Sequence, residues 1–224
     1  MKLSKRYWIV ALCCAILFVA FTVLVMTVDV SPIGPMESEV GCSSINGWFR
    51  DLVGEGRVWY AASEITGALS LVTAAAFAAV GVYQLCRRKK PSLVDRSLFL
   101  LAGLYAAVLV CYAAFEVIVI NDRPVLVDGV LEASYPSSHT MLALTVMLSA
   151  AVELFERCRQ RKICRVLLPS LCTAIGVFTV VARALSGVHW LTDVVGSLLL
   201  SAALLAAYFA ARLRFLTLPT EERL

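Results

Sequence analysis

Six long apolar segments, separated by polar stretches, account for most of this 224-residue chain. A helix that crosses a bilayer needs roughly 20 predominantly apolar residues, because each residue advances it by about 1.5 Å. The fourth segment is short but can be extended at both ends, and the six lie at 7–28, 65–86, 97–115, 140–152, 166–182 and 194–211. We therefore predict an all-α polytopic membrane bundle of six transmembrane helices, forming a single domain over residues 1–224.

The composition supports a membrane protein and excludes several other classes. Hydrophobic residues make up 60% of the chain and charged residues 16%, whereas soluble domains have about 45–50% and about 25%. Disorder, a coiled coil and nucleic-acid binding are therefore not expected. The eight cysteines lie mostly in or beside apolar segments, so they predict neither a disulfide framework nor a paired-cysteine metal site. The first segment is too long for a signal-peptide core and lacks a small-residue cleavage site, so we expect it to be retained.

The distribution of positive charge predicts the orientation. Sixteen of the 20 Lys and Arg residues lie before the first segment, after the sixth, or in the connections after the second and fourth. The other four lie on the opposite side and are Arg50, Arg57, Arg123 and Arg183. Cytoplasmic loops are enriched in Lys and Arg. We predict a multi-pass plasma-membrane protein with both termini in the cytoplasm, whose net charge of +4 reflects topology.

The outer loop at 29–57 is the longest connection. Trp48, Phe49, Leu52 and Val53 recur there at helical spacing. Two structures are compatible with that pattern: a short helix in the membrane interface, or an ordinary loop anchored by its aromatic residues.

The polar residues that fall near membrane depth gather at the predicted outer helix ends. The chain has two histidines, His139 and His189, and each lies near an outer-side arginine, Arg123 or Arg183. Asp193 follows His189 by four residues, so a helix would place the two side chains on one face. Ionisable residues within spanning segments are costly and are usually functional. The sequence therefore predicts a polar site at the outer ends of the last four spans.

The chemistry of these residues favours phosphoryl transfer. Arginine forks match phosphate oxygens, and a His–Asp pair orients the imidazole so that its other nitrogen can attack or accept a proton. The second histidine can act as a general acid, and the amides that begin the fourth helix point toward an anion. Metal binding by His139, His189 and Asp193 is the alternative, but nearby arginines repel a cation and no third histidine or thiol converges there. We therefore predict no metal and no other cofactor.

Three sequence blocks resemble the type 2 phosphatidic acid phosphatase (PAP2) family of lipid phosphatases and haloperoxidases. The family pattern is Lys-x6-Arg-Pro, then Pro-Ser-Gly-His, then Ser-Arg-x5-His-x3-Asp. The corresponding residues here are Glu116-x6-Arg123-Pro124, Pro136-Ser137-Ser138-His139 and Ala182-Arg183-x5-His189-x3-Asp193. The resemblance covers about residues 97–212, the motif-bearing core. It implies a PAP2/haloperoxidase-like bundle.

The resemblance also implies a role for each matching residue. His189 would be the nucleophile that forms a phosphohistidine, and Asp193 would orient it. His139 would protonate the leaving group and then activate water. The phosphate would be held without a metal by Arg123, Arg183, Ser137 and the backbone amides of Ser138 and His139, next to Pro124.

The sequence departs from the family pattern at three positions. Ser138 replaces a glycine and Ala182 replaces a serine, and both changes are small. Glu116 reverses the charge of a lysine that ordinarily contacts phosphate. At an effective dielectric constant of about 20, a unit charge about 4 Å from a phosphate interacts with it by about 4 kcal/mol.

The sequence leaves three roles open for Glu116. It could pair with Arg123 and position it, or be compensated by Arg50 or Arg57. It could also accept a hydrogen bond from a hydroxyl-bearing headgroup and so change substrate choice. A second acid, Glu64, either joins the same network or reaches the headgroup water.

The function expected from these features is a metal-independent membrane lipid phosphatase with an extracytoplasmic site. Its partner would be a membrane lipid phosphate in the bilayer, such as phosphatidate, phosphatidylglycerol phosphate or a polyprenyl diphosphate. The first alternative is a lipid phosphotransferase, because the segment from His189 to Val194 also looks like the last motif of sphingomyelin-synthase-type transferases. The second is a non-catalytic transporter or scaffold in which Glu116 has disabled phosphate binding.

Overall fold

Seven α-helices form the fold in the computed structural model, which describes residues 2–217. They are α1 (Lys2–Thr27), α2 (Ser43–Val53), α3 (Arg57–Arg88), α4 (Arg96–Val117), α5 (Ser138–Arg157), α6 (Lys162–Leu185) and α7 (Leu191–Thr217). All except α2 are long and apolar enough to cross a membrane, so the six predicted spans are confirmed. Arg223, which the orientation argument used, lies outside the described residues.

The bundle is organised around α5 and α7. About 60% of the residues in the most apolar stretch of α5, and slightly fewer in that of α7, are buried inside the bundle. The corresponding stretches of α1, α3, α4 and α6 are mostly exposed. The buried face of α5 carries many small residues, including Ala143, Thr145, Ser149 and Ala150. Small residues let helix backbones approach closely in a membrane, where packing replaces the hydrophobic effect. The helix that carries the second motif is therefore the central one.

The outer loop forms the short helix α2 between two ordered turns, so the helical alternative is the correct one. Its Asn46 is fully buried, donates to Thr192 Oγ1 (2.9 Å) and accepts from Thr192 N (3.2 Å). The Asn46 amide also donates to Gly41 O at 2.8 Å. These contacts tie the outer loop to the first turn of α7, which also carries Asp193.

The connection between α4 and α5 folds back on itself through bridges between Asp122 and Ala133 and between Val127 and Val130. It ends at Tyr135, whose ring packs on Phe18 of α1 and Phe115 of α4. A side chain at Gly196 would meet the Tyr135 ring at 2.6 Å, so only glycine permits this contact with α7. The loop that carries Arg123 is thereby fixed against three helices.

Candidate active site

The three motif segments meet at one end of the bundle. Arg123 lies in the connection before α5, and His139 lies in the first turn of α5. Arg183 lies in the last turn of α6, His189 precedes α7, and Asp193 lies in its first turn. The six spans alternate in direction, which places all of these residues at the end opposite the start of α1 and the end of α7. The predicted clustering of both histidines and both arginines is what the structure shows.

His189 is held from one side by Asp193 and Ser134. Its Nδ1 lies 3.1 Å from Ser134 Oγ and 3.4 Å from Asp193 Oδ2. Asp193 Oδ2 also accepts hydrogen bonds from the Ser134 hydroxyl and from Trp190 N. Because the Ser134 hydroxyl donates its one proton to Asp193, its oxygen accepts from His189, and so we assign the imidazole proton to Nδ1. The lone pair is then on Nε2.

The Nε2 atom of His189 is buried and has no hydrogen-bond partner among residues 2–217. His189 lines a cavity of only about 10 Å³ together with Glu116, Arg123 and Ser138. Burial, followed by the positive charges of Arg183 and Arg123, holds the pKa of His189 well below its usual range. The imidazole is therefore neutral at physiological pH, and its unshared electron pair is on the unpartnered Nε2.

His139 and Arg183 form a second cluster with Glu64 of α3. Arg183 donates from Nη2 to His139 Nδ1 (2.9 Å) and from Nη1 to Glu64 Oε1 (2.8 Å) and Ser63 Oγ (2.9 Å). His139 Nε2 lies 3.3 Å from the same Glu64 oxygen. A side chain at Gly67 would meet the His139 ring at 2.8 Å, so glycine is required where α3 passes the imidazole. Glu64 therefore belongs to the polar network and does not merely reach headgroup water.

Arg123 faces the cavity and pairs with Glu132 of its own loop. The two side chains approach to 3.2 Å, and Arg123 N donates to Glu132 O at 2.9 Å. Arg123 Nε forms no well-directed hydrogen bond with the described residues, and neither does Arg183 Nε. Each arginine therefore retains a buried donor that an anion could use.

Glu116 lies at the end of α4 and lines the cavity beside His189. No ion pair involving it occurs within residues 2–217, so the expected pairing with Arg123 is not observed. Arg50 does not compensate it either, because its guanidinium donates to Gly54 O at 2.6 Å and faces Glu55. Arg57 forms no ion pair with the described residues, so of the three roles proposed from the sequence, a contact with the substrate headgroup is the one that this position still allows.

Two of the residues predicted to bind phosphate, Ser137 and Pro124, do not line the cavity beside His189. Ser137 is the N-cap of α5, and its fully buried hydroxyl contacts the amide and hydroxyl of Thr140. Pro124 is buried behind Arg123 and does not line the cavities described here. Ser138, in contrast, lines both. The Ser137 hydroxyl caps the helix, and its contact with phosphate remains a prediction.

A larger cavity of about 750 Å³ opens beside the two clusters, between α3, α4 and α5. Its outer part is polar, and its wall there includes Glu64, Glu116, Asp122, Arg123, Glu132 and His139. Its deeper part is apolar, and its wall there includes Leu71, Val108, Leu109 and Leu142. The cavity therefore joins the polar site to the lipid-facing depth of the bundle.

Sequence reasoning missed several partners within the site. Ser134 lies outside the three sequence blocks, although it bridges His189 and Asp193. Asn46 gave no signal at all, because a single asparagine in an outer loop is unremarkable. No group of three or more His, Cys, Asp or Glu side chains that could hold a metal ion occurs in the part of the chain described.

Six spanning helices that gather two histidines, two arginines and a buried carboxylate at one end define a polytopic membrane protein with a polar interfacial site. Residues 118–216 match the sequence model of the PAP2 superfamily, so the resemblance predicted from the motifs is confirmed.

The fold is also similar to that of a solved structure, the "first transmembrane PAP2 type phosphatidylglycerolphosphate phosphatase from Bacillus subtilis". The TM-score is 0.65 at 15% sequence identity, and the match covers 94% of this chain and 98% of the other. No curated protein matches the chain significantly by sequence. The predicted PAP2-like helical bundle is thus confirmed at the level of the fold.

Proposed function

We propose that this chain is an integral membrane lipid phosphatase. It hydrolyses a phosphomonoester or diphosphate of a membrane lipid through a phosphohistidine on His189. The observation that carries the proposal is the buried, unpartnered Nε2 of His189. Asp193 and Ser134 contact the other nitrogen of the ring, and His189 lines a cavity together with Arg123.

In the first step, His189 Nε2 attacks the phosphorus and forms a P–N bond. The P–O bond to the lipid breaks in line with this attack, and His139, protonated on both ring nitrogens once the phosphate is bound, donates one proton to the leaving oxygen and becomes neutral. Asp193 stabilises the positive charge that develops on His189. The products of this step are the lipid alcohol, or a lipid monophosphate from a diphosphate, and the phosphohistidine.

In the second step, water attacks the phosphohistidine and breaks the P–N bond. His139 accepts a proton from that water, the reverse of its first role. Arg123, Arg183 and the amides at the start of α5 stabilise the phosphoryl oxygens in both steps. Phosphoryl transfer requires mainly positioning and charge stabilisation, and these residues supply both without a metal.

The large cavity supports a lipid substrate. Its polar outer part lies next to His139 and Arg123, and its apolar part extends along α3 and α4. A phosphorylated headgroup would occupy the first part while the attached hydrocarbon remains at membrane depth. The named Bacillus subtilis structure is a phosphatidylglycerolphosphate phosphatase, which makes that lipid one of the candidates beside phosphatidate and polyprenyl diphosphates.

The proposed orientation places this site outside the cytoplasm. The Lys- and Arg-rich connections lie at the opposite end of the bundle, with both termini. By the positive-inside rule that end is cytoplasmic. The chain would be one plasma-membrane domain over residues 1–224 whose substrate approaches from the outer leaflet.

The proposal is tested by measuring phosphate release from a panel of lipid phosphates by the purified protein, with and without an added alcohol acceptor. We expect release into water that persists in EDTA. A phosphorylated product that forms only with the alcohol would indicate a phosphotransferase, and no turnover of any substrate would indicate a transporter or scaffold. Loss of turnover in EDTA that a divalent metal restores would contradict metal independence.

The second candidate, transfer to an alcohol, is supported by the acids of the cavity. Glu116, Asp122 and Glu132 all line its polar part, and carboxylates accept hydrogen bonds from hydroxyl groups. An alcohol held there would compete with water for the phosphohistidine. The alcohol arm of the panel measures this competition directly.

Glu116→Lys should raise kcat/KM on phosphatidate by about ten-fold. The change replaces a negative charge near the phosphate by a positive one, and screening reduces the Coulomb gain of several kcal/mol to a fraction of itself. Glu116→Gln, which only removes the charge, should give a smaller increase. A decrease with both variants would mean that Glu116 positions the site and does not select the substrate.

A further inference from the structure

Glu64 lies in α3, which contains none of the three motif blocks and falls outside the family match at residues 118–216. Its side chain is 41% exposed and lines the large cavity. It nevertheless contacts both members of the His139–Arg183 pair. Glu64 thus contacts His139, the proposed proton donor, and Arg183, a proposed phosphate-binding residue.

A single oxygen of Glu64 lies between two donors. Oε1 accepts from Arg183 Nη1 at 2.8 Å and lies 3.3 Å from His139 Nε2. Arg183 Nη2 lies 2.9 Å from His139 Nδ1. Because a guanidinium can only donate, His139 Nδ1 accepts this bond and the imidazole proton is on Nε2, which lies 3.3 Å from Glu64 Oε1. The three side chains form a closed ring made of two hydrogen bonds from Arg183 and this close contact.

This ring cannot persist during the proposed reaction. The phosphate needs the Arg183 donors, and the leaving oxygen needs the proton on His139 Nε2. His139 also cannot gain a second proton while Arg183 donates to its Nδ1. In addition, the cavity beside His189, about 10 Å³, is too small for a phosphate group. The observed arrangement is a resting one in which a carboxylate occupies the place of the substrate's oxygens.

We propose that Glu64 is a positioning residue that stands in for the substrate phosphate. It holds the Nε2–H form of His139 and the fork of Arg183 until the phosphate displaces it into the large cavity. This inference rests on the proposed function. The exposed side of Glu64 gives the carboxylate room to withdraw, and Ser63 keeps its own bond to Arg183 during the exchange.

Glu64→Gln tests the competition. The amide keeps an acceptor oxygen but loses the charge, so it should yield Arg183 and His139 to an anion more easily. If Glu64 occupies the donors in about nine-tenths of the molecules, its release raises apparent affinity about ten-fold. We expect KM and the inhibition constant for orthovanadate to fall by about that factor, while kcat changes by less than about three-fold.

Two further variants distinguish the specific contact made by Glu64 from a general effect of negative charge in the cavity. Asp122→Asn removes a negative charge from the same cavity wall at a residue that forms no ion pair among residues 2–217, so its effect on vanadate inhibition should be clearly smaller. Glu64→Asp keeps the charge but shortens the reach, so it should also strengthen inhibition. Equal effects of Glu64→Gln and Asp122→Asn would overturn the proposal, as would unchanged vanadate inhibition in Glu64→Gln.

A measurement that needs no turnover distinguishes this inference from the proposed function. The chain has only two histidines, so ¹⁵N-imidazole spectra contain two sets of signals, which His189→Ala assigns. We expect the Nε2–H tautomer for His139 in the wild type and a changed signal in Glu64→Gln but not in Asp122→Asn. If the His139 signals change as expected but no lipid phosphate is hydrolysed, the proposed function is contradicted while the contact between Glu64 and His139 is supported. An unchanged His139 signal in Glu64→Gln overturns the Glu64 inference even if the enzyme is active.

Discussion

His189→Ala should abolish phosphate release, with a loss on the order of 10⁴-fold or more. The substitution removes the only imidazole nitrogen that is both buried and without a hydrogen-bond partner in the described chain, at a residue that lines the small cavity. Asp193 and Ser134 would then have no imidazole ring to orient. Incubation with ³²P-labelled lipid phosphate should produce an acid-labile phosphoprotein in the wild type and none in the variant.

The control for this experiment is Glu37→Gln, an exposed outer-loop change distant from the motif segments in sequence and absent from the cavity walls described here. It should retain both turnover and the labelled intermediate. Thermal unfolding should show that His189→Ala is still folded. If the variant still accumulates a phosphoprotein, the nucleophile is another residue and His139 becomes the first candidate.

Glu153→Gln should destabilise the protein by about 3 kcal/mol. Glu153 is buried in α5 at the end of the bundle away from the candidate site, with its side chain 3% exposed. It accepts from Arg212 Nη1 (2.7 Å), Arg157 Nε (2.7 Å) and Ser97 Oγ (2.6 Å), joining α4, α5 and α7. Removing its charge leaves Arg212, itself only 10% exposed, without its main counter-charge.

Glu156→Gln provides the matched control. Glu156 also faces Arg212, but at 3.8 Å and with its side chain 60% exposed, so its loss should cost less than about 1 kcal/mol. Unfolding in detergent micelles measures both variants. Turnover per folded molecule should be unchanged in each, because the network lies at the other end of the spans. Equal stability of the two variants would show that the Glu153 cluster contributes little.

The arrangement of spans could be predicted from the sequence because it depends on local composition. Apart from the shorter fourth one, the six segments are uncharged over most of the thickness of a bilayer. A helix is the local way to pair the backbone there. The predicted segments are shorter than the helices, as at 65–86 within α3 (Arg57–Arg88). Helices continue beyond the apolar core into the interface, which hydropathy does not record.

The main residues of the candidate site could also be predicted, since spacing along the chain places them. His189 and Asp193 are one helical turn apart, and Arg123 and His139 both lie close to the outer end of a span. The direction of each span then brings them to the same end of the bundle. Their catalytic and binding roles remain predictions that the variants above test.

The partners of those residues could not be predicted. Glu64 contacts Arg183 across 119 positions of chain, and Ser134 reaches Asp193 across 59. The sequence offers several acids and hydroxyls at the same membrane depth, and nothing local selects among them. Glu116 illustrates the same difficulty. It precedes Arg123 by seven residues, and the sequence suggested that the two could pair, but Arg123 pairs with Glu132 instead.

The sequence alone thus determined the number of spans, their alternation and the end of the bundle at which the reactive side chains collect. These properties follow from apolar length and from helical periodicity, which act over one or two turns. Only the tertiary structure decided which carboxylate faces which arginine, which nitrogen of each imidazole is free, and where the cavity opens. Those features depend on how helices from distant parts of the chain pack around α5 and α7, and small residues at close contacts such as Gly67 and Gly196 set that packing.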